Sequence, residues 1–184
     1  MKIRKTRIAG TGSYIPEKVL TNADLEKMVD TSDEWISTRT GIKERRIADK
    51  NQAASDLAYE ASRKAIEAAQ IEPEELDMII VATITPDMIF PATACILQKR
   101  LGVEGIVAFD LEAACSGFLY GISIGSQFIA TGMYNTILVV AAETLSKIID
   151  WKDRNTCVIF ADGAGAGILR PSIDDSQIIS SYLG

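Results

Sequence analysis

The chain has 184 residues, 47% of them hydrophobic, with 19 Lys and Arg against 25 Asp and Glu, a formal net charge of −6 and no histidine. Without imidazole it cannot hold a complete Ser/His/Asp or Cys/His site, nor a zinc site built on histidine. The acidic balance argues against a general nucleic-acid binder, because phosphate contacts need a field of Lys and Arg. Cys95, Cys115 and Cys157 have neither the spacing of a metal site nor that of a disulfide framework, so no metal is expected and a reducing, cytoplasmic setting is. The basic residues of Met1 to Arg7 lead into Gly10-Thr11-Gly12 rather than an apolar stretch, and no export signal is expected.

In chain order, Arg7 to Gly10 reads as a short strand. The region from Thr21 to Ile47 departs from the later rhythm and reads as an inserted excursion. Within it Thr31-Ser32-Asp33-Glu34 has the Thr-x-x-Glu form of a capping box, which predicts a short helix through Trp35 to about Thr38, ended by Gly41. Helical periodicity follows at Ser55 to Ala69, with Leu57, Ala61, Ala65 and Ala68 on one face, then a buried strand at Asp77 to Thr83 and a helix at Ala92 to Leu101. Next come a strand at Ile106 to Leu111, a helix at Ser116 to Thr131 and a strand at Thr136 to Ala142. The alternation predicts an α/β fold with a mostly parallel, layered sheet and helices on both faces.

Ala113 to Ala142 carries no charge, long enough for a membrane span. Ser116, Ser123, Ser126, Gln127, Thr131 and Asn135, with a break at Gly132, favour a buried helix followed by a strand, and Gly117, Gly121 and Gly125 allow close packing. In the tail, Cys157 to Ala161 and Ala164 to Leu169 flank Asp162-Gly163 and predict a hairpin. Ile178 to Leu183 begins what reads as a further strand.

Cys115 follows a strand and a small-residue turn and opens the uncharged helix, where backbone N–H groups and the helix dipole favour a thiolate. On position alone it serves equally as a nucleophile or a small buried hydrophobe, and the strand-turn-helix context tilts the reading towards the nucleophile. Cys95 and Cys157 read as packed residues. Trp35 and Arg39, four apart on a helix, can close an indole and a guanidinium on a flat ring; the competing reading is a Trp packed on the core among solvated charges. Arg39, Lys43, Arg45 and Arg46 against Glu44 give Trp35 to Arg46 a local charge of +3, suited to a phosphate-bearing ligand or an acidic protein. The run Gly163-Ala164-Gly165-Ala166-Gly167 lacks G-x-G-x-x-G spacing and reads as close strand packing.

Taken together, Thr21-Asn22-Ala23-Asp24-Leu25-Glu26, Asp30-Thr31-Ser32-Asp33-Glu34-Trp35-Ile36, Arg39-Thr40-Gly41-Ile42, Ala113-Ala114-Cys115-Ser116-Gly117-Phe118 and Phe160-Ala161-Asp162-Gly163-Ala164-Gly165-Ala166 resemble β-ketoacyl-acyl carrier protein synthase III. The likeness runs from about Ile8 to the end and keeps the family's order and spacing. It implies a thiolase-like fold of two similar α/β halves, usually a homodimer, with this chain as the N-terminal half. It implies an initiating condensing enzyme of fatty acid synthesis in which Cys115 takes an acyl group from acyl-CoA and passes it to malonyl-acyl carrier protein, with acyl-CoA as substrate and no permanently bound cofactor. By the same resemblance Thr31, Trp35, Arg39 and Arg154 bind coenzyme A. Leu145 and Phe160 line the acyl pocket, and Phe90 reaches it from a partner subunit. The family's catalytic histidine and asparagine have no counterpart in this chain, so the chain alone is expected to be inactive in condensation. A non-catalytic module for dimerisation or partner binding is the competing expectation.

Overall fold

The computed structural model describes residues 3–183. Its centre is a five-stranded sheet built from β1 (Thr6–Tyr14), β4 (Met78–Ala82), β5 (Val107–Leu111), β6 (Ile137–Thr144) and β7 (Asp162–Pro171), in the order β1-β7-β6-β4-β5. Strands β5, β4 and β6 are parallel, whereas β7 pairs antiparallel with both β6 and β1. The sheet is therefore mixed, parallel on one side and antiparallel on the other. Period-two alternation divides the core. Ile79 and Val81 of β4 and Leu138 and Val140 of β6 face α3 (Ala54–Ala69) and α4 (Thr93–Leu101), while Met78, Ile80, Ile137 and Val139 face α5 (Gly117–Thr131).

Two glycine sets decide how near the helices come. A Cβ at Gly12 of β1 would lie 2.2 Å from the Ala61 carbonyl oxygen, and one at Gly10 would lie 2.3 Å from the Ala69 nitrogen, so β1 rests on the bare backbone of α3. On the opposite face, Cβ atoms at Gly117, Gly121 and Gly125 would meet Ala82, Val139 and Leu169 at 2.7–2.8 Å. The uncharged segment is thus a sheet-packed helix and a strand, and no helix of the described residues is long and apolar enough to cross a membrane.

The segment between β1 and α3 carries β2 (Lys18–Thr21) paired antiparallel with β3 (Glu44–Ile47), and between them α1 (Asn22–Leu25) and α2 (Asp33–Thr40). Leu25 and Ile36 share a small core there with Cys157 and Val158 at the end of α6 (Arg154–Cys157). The expected capping box is displaced by one residue. Ser32, not Thr31, accepts the N–H of Trp35, and α2 runs to Thr40 before Gly41 stops it at φ 73°.

The tail departs from the sequence reading in three ways. Cys157 ends helix α6 instead of starting a strand. Asp162-Gly163 makes no hairpin; it opens β7, because the buried Asp162 carboxylate is held by the N–H groups of Ala48 (2.6 Å) and Ser146 (2.8 Å) and by the Ser146 hydroxyl (2.5 Å). Ile178 to Leu183 forms no strand; the Ile178 N–H reaches the Thr6 carbonyl at 2.7 Å and the ladder goes no further. The glycine run of 163–167 lies within β7, with Gly163 and Gly167 in ordinary contact distance of neighbours and open space beside Gly165.

Two expectations follow. Gly12→Ala forces a backbone clash and should lower stability by about 1–3 kcal/mol, the usual cost of overpacking, whereas Gly165→Ala should be nearly neutral; equal urea midpoints for the two variants would contradict this packing. The second concerns acid. The Asp24 carboxyl is held down at about 2, mainly by the Thr21 hydroxyl and amide, and Asp33 and Asp153 are lowered chiefly by hydrogen bonds from Asn22 and from the Asn155 amide. Their depressed values mean that the stability they give is present above pH 3.8 and is lost as pH falls towards about 2. Fluorescence of Trp35 and Trp151 should report loosening of the 18–47 segment in that window, and Asp24→Asn should give up its share already at neutral pH. Superimposable acid titrations of parent and variant would exclude a role for Asp24.

Candidate active site

Because β4, β5 and β6 are parallel, their C-terminal ends lie along one edge of the sheet, where open α/β sheets place their ligands. Thr83 follows β4, Glu112 to Ser116 follow β5, and Leu145 follows β6. Asp162 pairs with Thr144, so Phe160 and Ala161 come to the same edge, and the Asp162 bond to Ala48 ties in the end of the 18–47 segment.

Cys115 sits in a single tight turn, Ala114–Ser116, that leads into α5. It is exposed, which removes the packed-hydrophobe reading. Ala114 immediately before it has φ 44°, a left-handed conformation that costs a non-glycine residue about 1–3 kcal/mol and persists only where the surroundings enforce it. Part of the enforcement is visible: Gly117 seats the first turn of α5 directly on Ala82, so the chain must turn sharply to get from β5 onto the sheet face. No side chain caps α5, and its first amide groups point towards the turn that bears the sulfur. The helix start was legible in the sequence, whereas the strain at Ala114 was not.

Beside this edge, Glu143 at the end of β6 accepts the Ile84 N–H (2.9 Å) and the Thr85 hydroxyl (2.5 Å), which fixes the loop after β4. The same loop leads to Met88, Ile89 and Phe90. Phe90 is 87% exposed, whereas Leu145 and Phe160 are half-buried. Cys95 is half-buried in α4 and Cys157 is buried. Burial pushes the Cys157 thiol up from its ordinary value. Among the described residues no group of three or more acidic or cysteine side chains is placed to hold a metal.

The structure brings three of the four coenzyme A candidates into contact. The guanidinium carbons of Arg39 and Arg154 lie 4.7 and 4.8 Å from the Trp35 ring centroid, although Arg39 and Arg154 are 115 positions apart. Arg154 Nη1 also donates to the Asp30 carbonyl at 3.0 Å, and Thr31 next to it holds a buried hydroxyl with no hydrogen-bond partner. The expected gap between indole and guanidinium is closed, since Arg39 stacks on the ring itself; a flat ligand must displace an arginine to enter. The +3 patch is also smaller than the sequence suggests. Lys43 pairs with Asp33 at 3.5 Å, Arg46 pairs with Glu44 at 3.1 Å, and Arg45 is buried.

A family model described as 3-oxoacyl-[acyl-carrier-protein (ACP)] synthase III matches residues 109–184. The β-ketoacyl-[acyl-carrier-protein] synthase III of Caldanaerobacter subterraneus subsp. tengcongensis is 66% identical over 177 residues, 96% of this chain and 54% of the relative. The protein of the same name from Desulfitobacterium hafniense is 60% identical over a segment covering the same shares. Among solved structures, the 3-oxoacyl-[acyl-carrier-protein] synthase III of Aquifex aeolicus superposes with a TM-score of 0.90 at 54% identity, covering 92% of this chain and 55% of that one. The priming β-ketosynthase of the R1128 polyketide pathway gives 0.90 at 37% identity, with shares of 93% and 51%. The thiolase-like α/β arrangement expected from the sequence is thus the fold of the chain. The chain spans about half the length of the curated relatives it matches, and over that span it is similar to proteins of the 3-oxoacyl-[acyl-carrier-protein] synthase III family.

Proposed function

We propose that this chain is the nucleophile-bearing, N-terminal half of a β-ketoacyl-[acyl-carrier-protein] synthase III, an acyltransferase that condenses acyl-CoA with malonyl-acyl carrier protein. The observation that carries the proposal is the exposed Cys115 sulfur at the uncapped start of α5, behind a strained Ala114. The Cys115 sulfur attacks the thioester carbonyl of acyl-CoA, the carbon–sulfur bond to coenzyme A breaks, and the proton lost by Cys115 ends on the released coenzyme A thiol. The α5 amide groups stabilise negative charge on the sulfur before attack. In the condensing step the malonyl group loses carbon dioxide, its carbon attacks the acyl-Cys115 carbonyl, and the Cys115 thiolate leaves.

Trp35, Arg39 and Arg154 offer an aromatic face with two guanidinium groups, and Thr31 a spare hydroxyl, which suits the flat base and phosphates of a coenzyme A nucleotide. Leu145 and Phe160, at the same sheet edge as Cys115, are the acyl-pocket candidates, and a bacterial, cytoplasmic setting fits acyl-CoA and acyl carrier protein as partners. A homodimer is supported by β5, an edge strand in this chain, and by the exposed Met88, Ile89 and Phe90 beside it. Those same features favour the second reading, a dimerisation or partner-binding module without activity.

Incubation of the chain with acetyl-CoA should add one acetyl group by intact mass, and Cys115→Ser should abolish the adduct. Malonyl-acyl carrier protein should yield no condensation product with this chain alone, because it has no imidazole to stabilise the charge formed on decarboxylation. An adduct that persists in Cys115→Ser would overturn the assignment of the nucleophile. An unmodified parent together with a concentration-dependent dimer in sedimentation would favour the binding module.

A further inference from the structure

We infer that Arg45 is the positioning residue of the nucleotide site: its buried guanidinium fixes α2, which bears Trp35 and Arg39, against α6, which bears Arg154. The inference rests on the coenzyme A reading of that cluster.

Arg45 is only 2% exposed, and no carboxylate of the described residues forms an ion pair with it. Its fork of donors is divided between two segments far apart in sequence. Nε and Nη2 both donate to the carbonyl oxygen of Val158, at 3.1 and 2.6 Å, and Nη1 donates to Asn22 Oδ1 at 2.5 Å. Val158 is the residue that closes α6. Asn22, itself buried, passes the connection on: its Nδ2 donates to Asp33 Oδ1 at 2.6 Å and to the Ile42 carbonyl at 2.8 Å, at the two ends of α2. One continuous chain of hydrogen bonds therefore runs from the end of α6 through Arg45 and Asn22 to both ends of α2.

The arrangement is expensive as packing. A buried guanidinium facing neutral oxygens loses hydration that no counter-ion restores, and burial lowers the Arg45 pKa from its ordinary value. An apolar side chain of similar volume would make no directional bond to Val158 or Asn22. What the arginine adds is geometry: five donors in one plane, with the Val158 carbonyl at one end and Asn22 at the other. Since α6 is only four residues long and α2 only eight, neither helix holds its orientation by length, and the stacking of Arg154 on Trp35 depends on their being held by this bridge.

The test compares Arg45→Met with the parent chain. Calorimetric titration with coenzyme A should show affinity reduced tenfold or more, while a thermal melt confirms that the variant is folded. Acetylation of Cys115 should become slower with acetyl-CoA as donor and stay unchanged with S-acetyl-N-acetylcysteamine, which has no nucleotide; a purely structural role would slow both donors together. Arg45→Lys, with one ammonium in place of the fork, should restore little. If Arg45→Met does not fold, Asn22→Ser cuts the same chain of bonds and takes its place. Affinity for coenzyme A within twofold of the parent, or equal slowing with both donors, would overturn the inference. A parent chain that binds no coenzyme A would instead overturn the reading of the cluster on which it rests.

Discussion

The close approach of α5 to the sheet is the constraint on which the site depends. Three glycines on one face of the helix bring it against Ala82, Val139 and Leu169 at distances no Cβ could share. With Gly117 pressed onto β4, the link from Leu111 to the helix has only five residues, Glu112 to Ser116, in which to turn, and Ala114 takes the left-handed conformation. Cys115, the next residue, is exposed just before the first turn of α5. On the other face of the sheet β1 comes closer still to α3, through Gly10 and Gly12.

A second arrangement lies beside that edge and is made of charge rather than small residues. In a chain of net −6, the 18–47 segment collects arginines, but the structure disposes of them in three ways. Arg46 and Lys43 are neutralised by exposed partners, pairs of the kind worth about 0–1 kcal/mol. Arg45 is buried as a brace. Only Arg39 remains with the distant Arg154 to act on the Trp35 ring. The cation-rich face is therefore two guanidinium groups on one indole, a more selective arrangement than a diffuse basic patch.

Strands and helices with strong periodicity were legible in the sequence. The apolar runs around Met78, Val107 and Ile137 and the alanine face of α3 emerge with boundaries within a residue or two, although the edge strand β5 is only half-buried. Failures fall where a distant partner overrides local preference. Asp162-Gly163 has hairpin chemistry, yet the Asp162 carboxylate is claimed by Ala48 and Ser146, and the two residues become the first pair of β7. Ser32 supplants Thr31 as the cap of α2 by one position. The antiparallel placing of β7 between β6 and β1 carries no local signal at all. In the candidate site, the place of Cys115 between a strand and a helix was readable from the sequence, and the closeness of Trp35 and Arg39 from their spacing on one helix. The contact of Arg154 with that ring came only through family resemblance, and the structural work of Arg45 had no signal, because a buried arginine and a solvated one look alike in sequence.

The central claim is that one acyl-CoA molecule spans both features, with its nucleotide on the Trp35 ring and its thioester at Cys115. A crystal structure of the chain with bound coenzyme A tests this most directly. The account predicts the adenine against Trp35 with Arg39 or Arg154 displaced from the ring and the thiol end directed to the sheet edge at Cys115. A nucleotide bound elsewhere on the surface, with both arginines still stacked on Trp35, would contradict it.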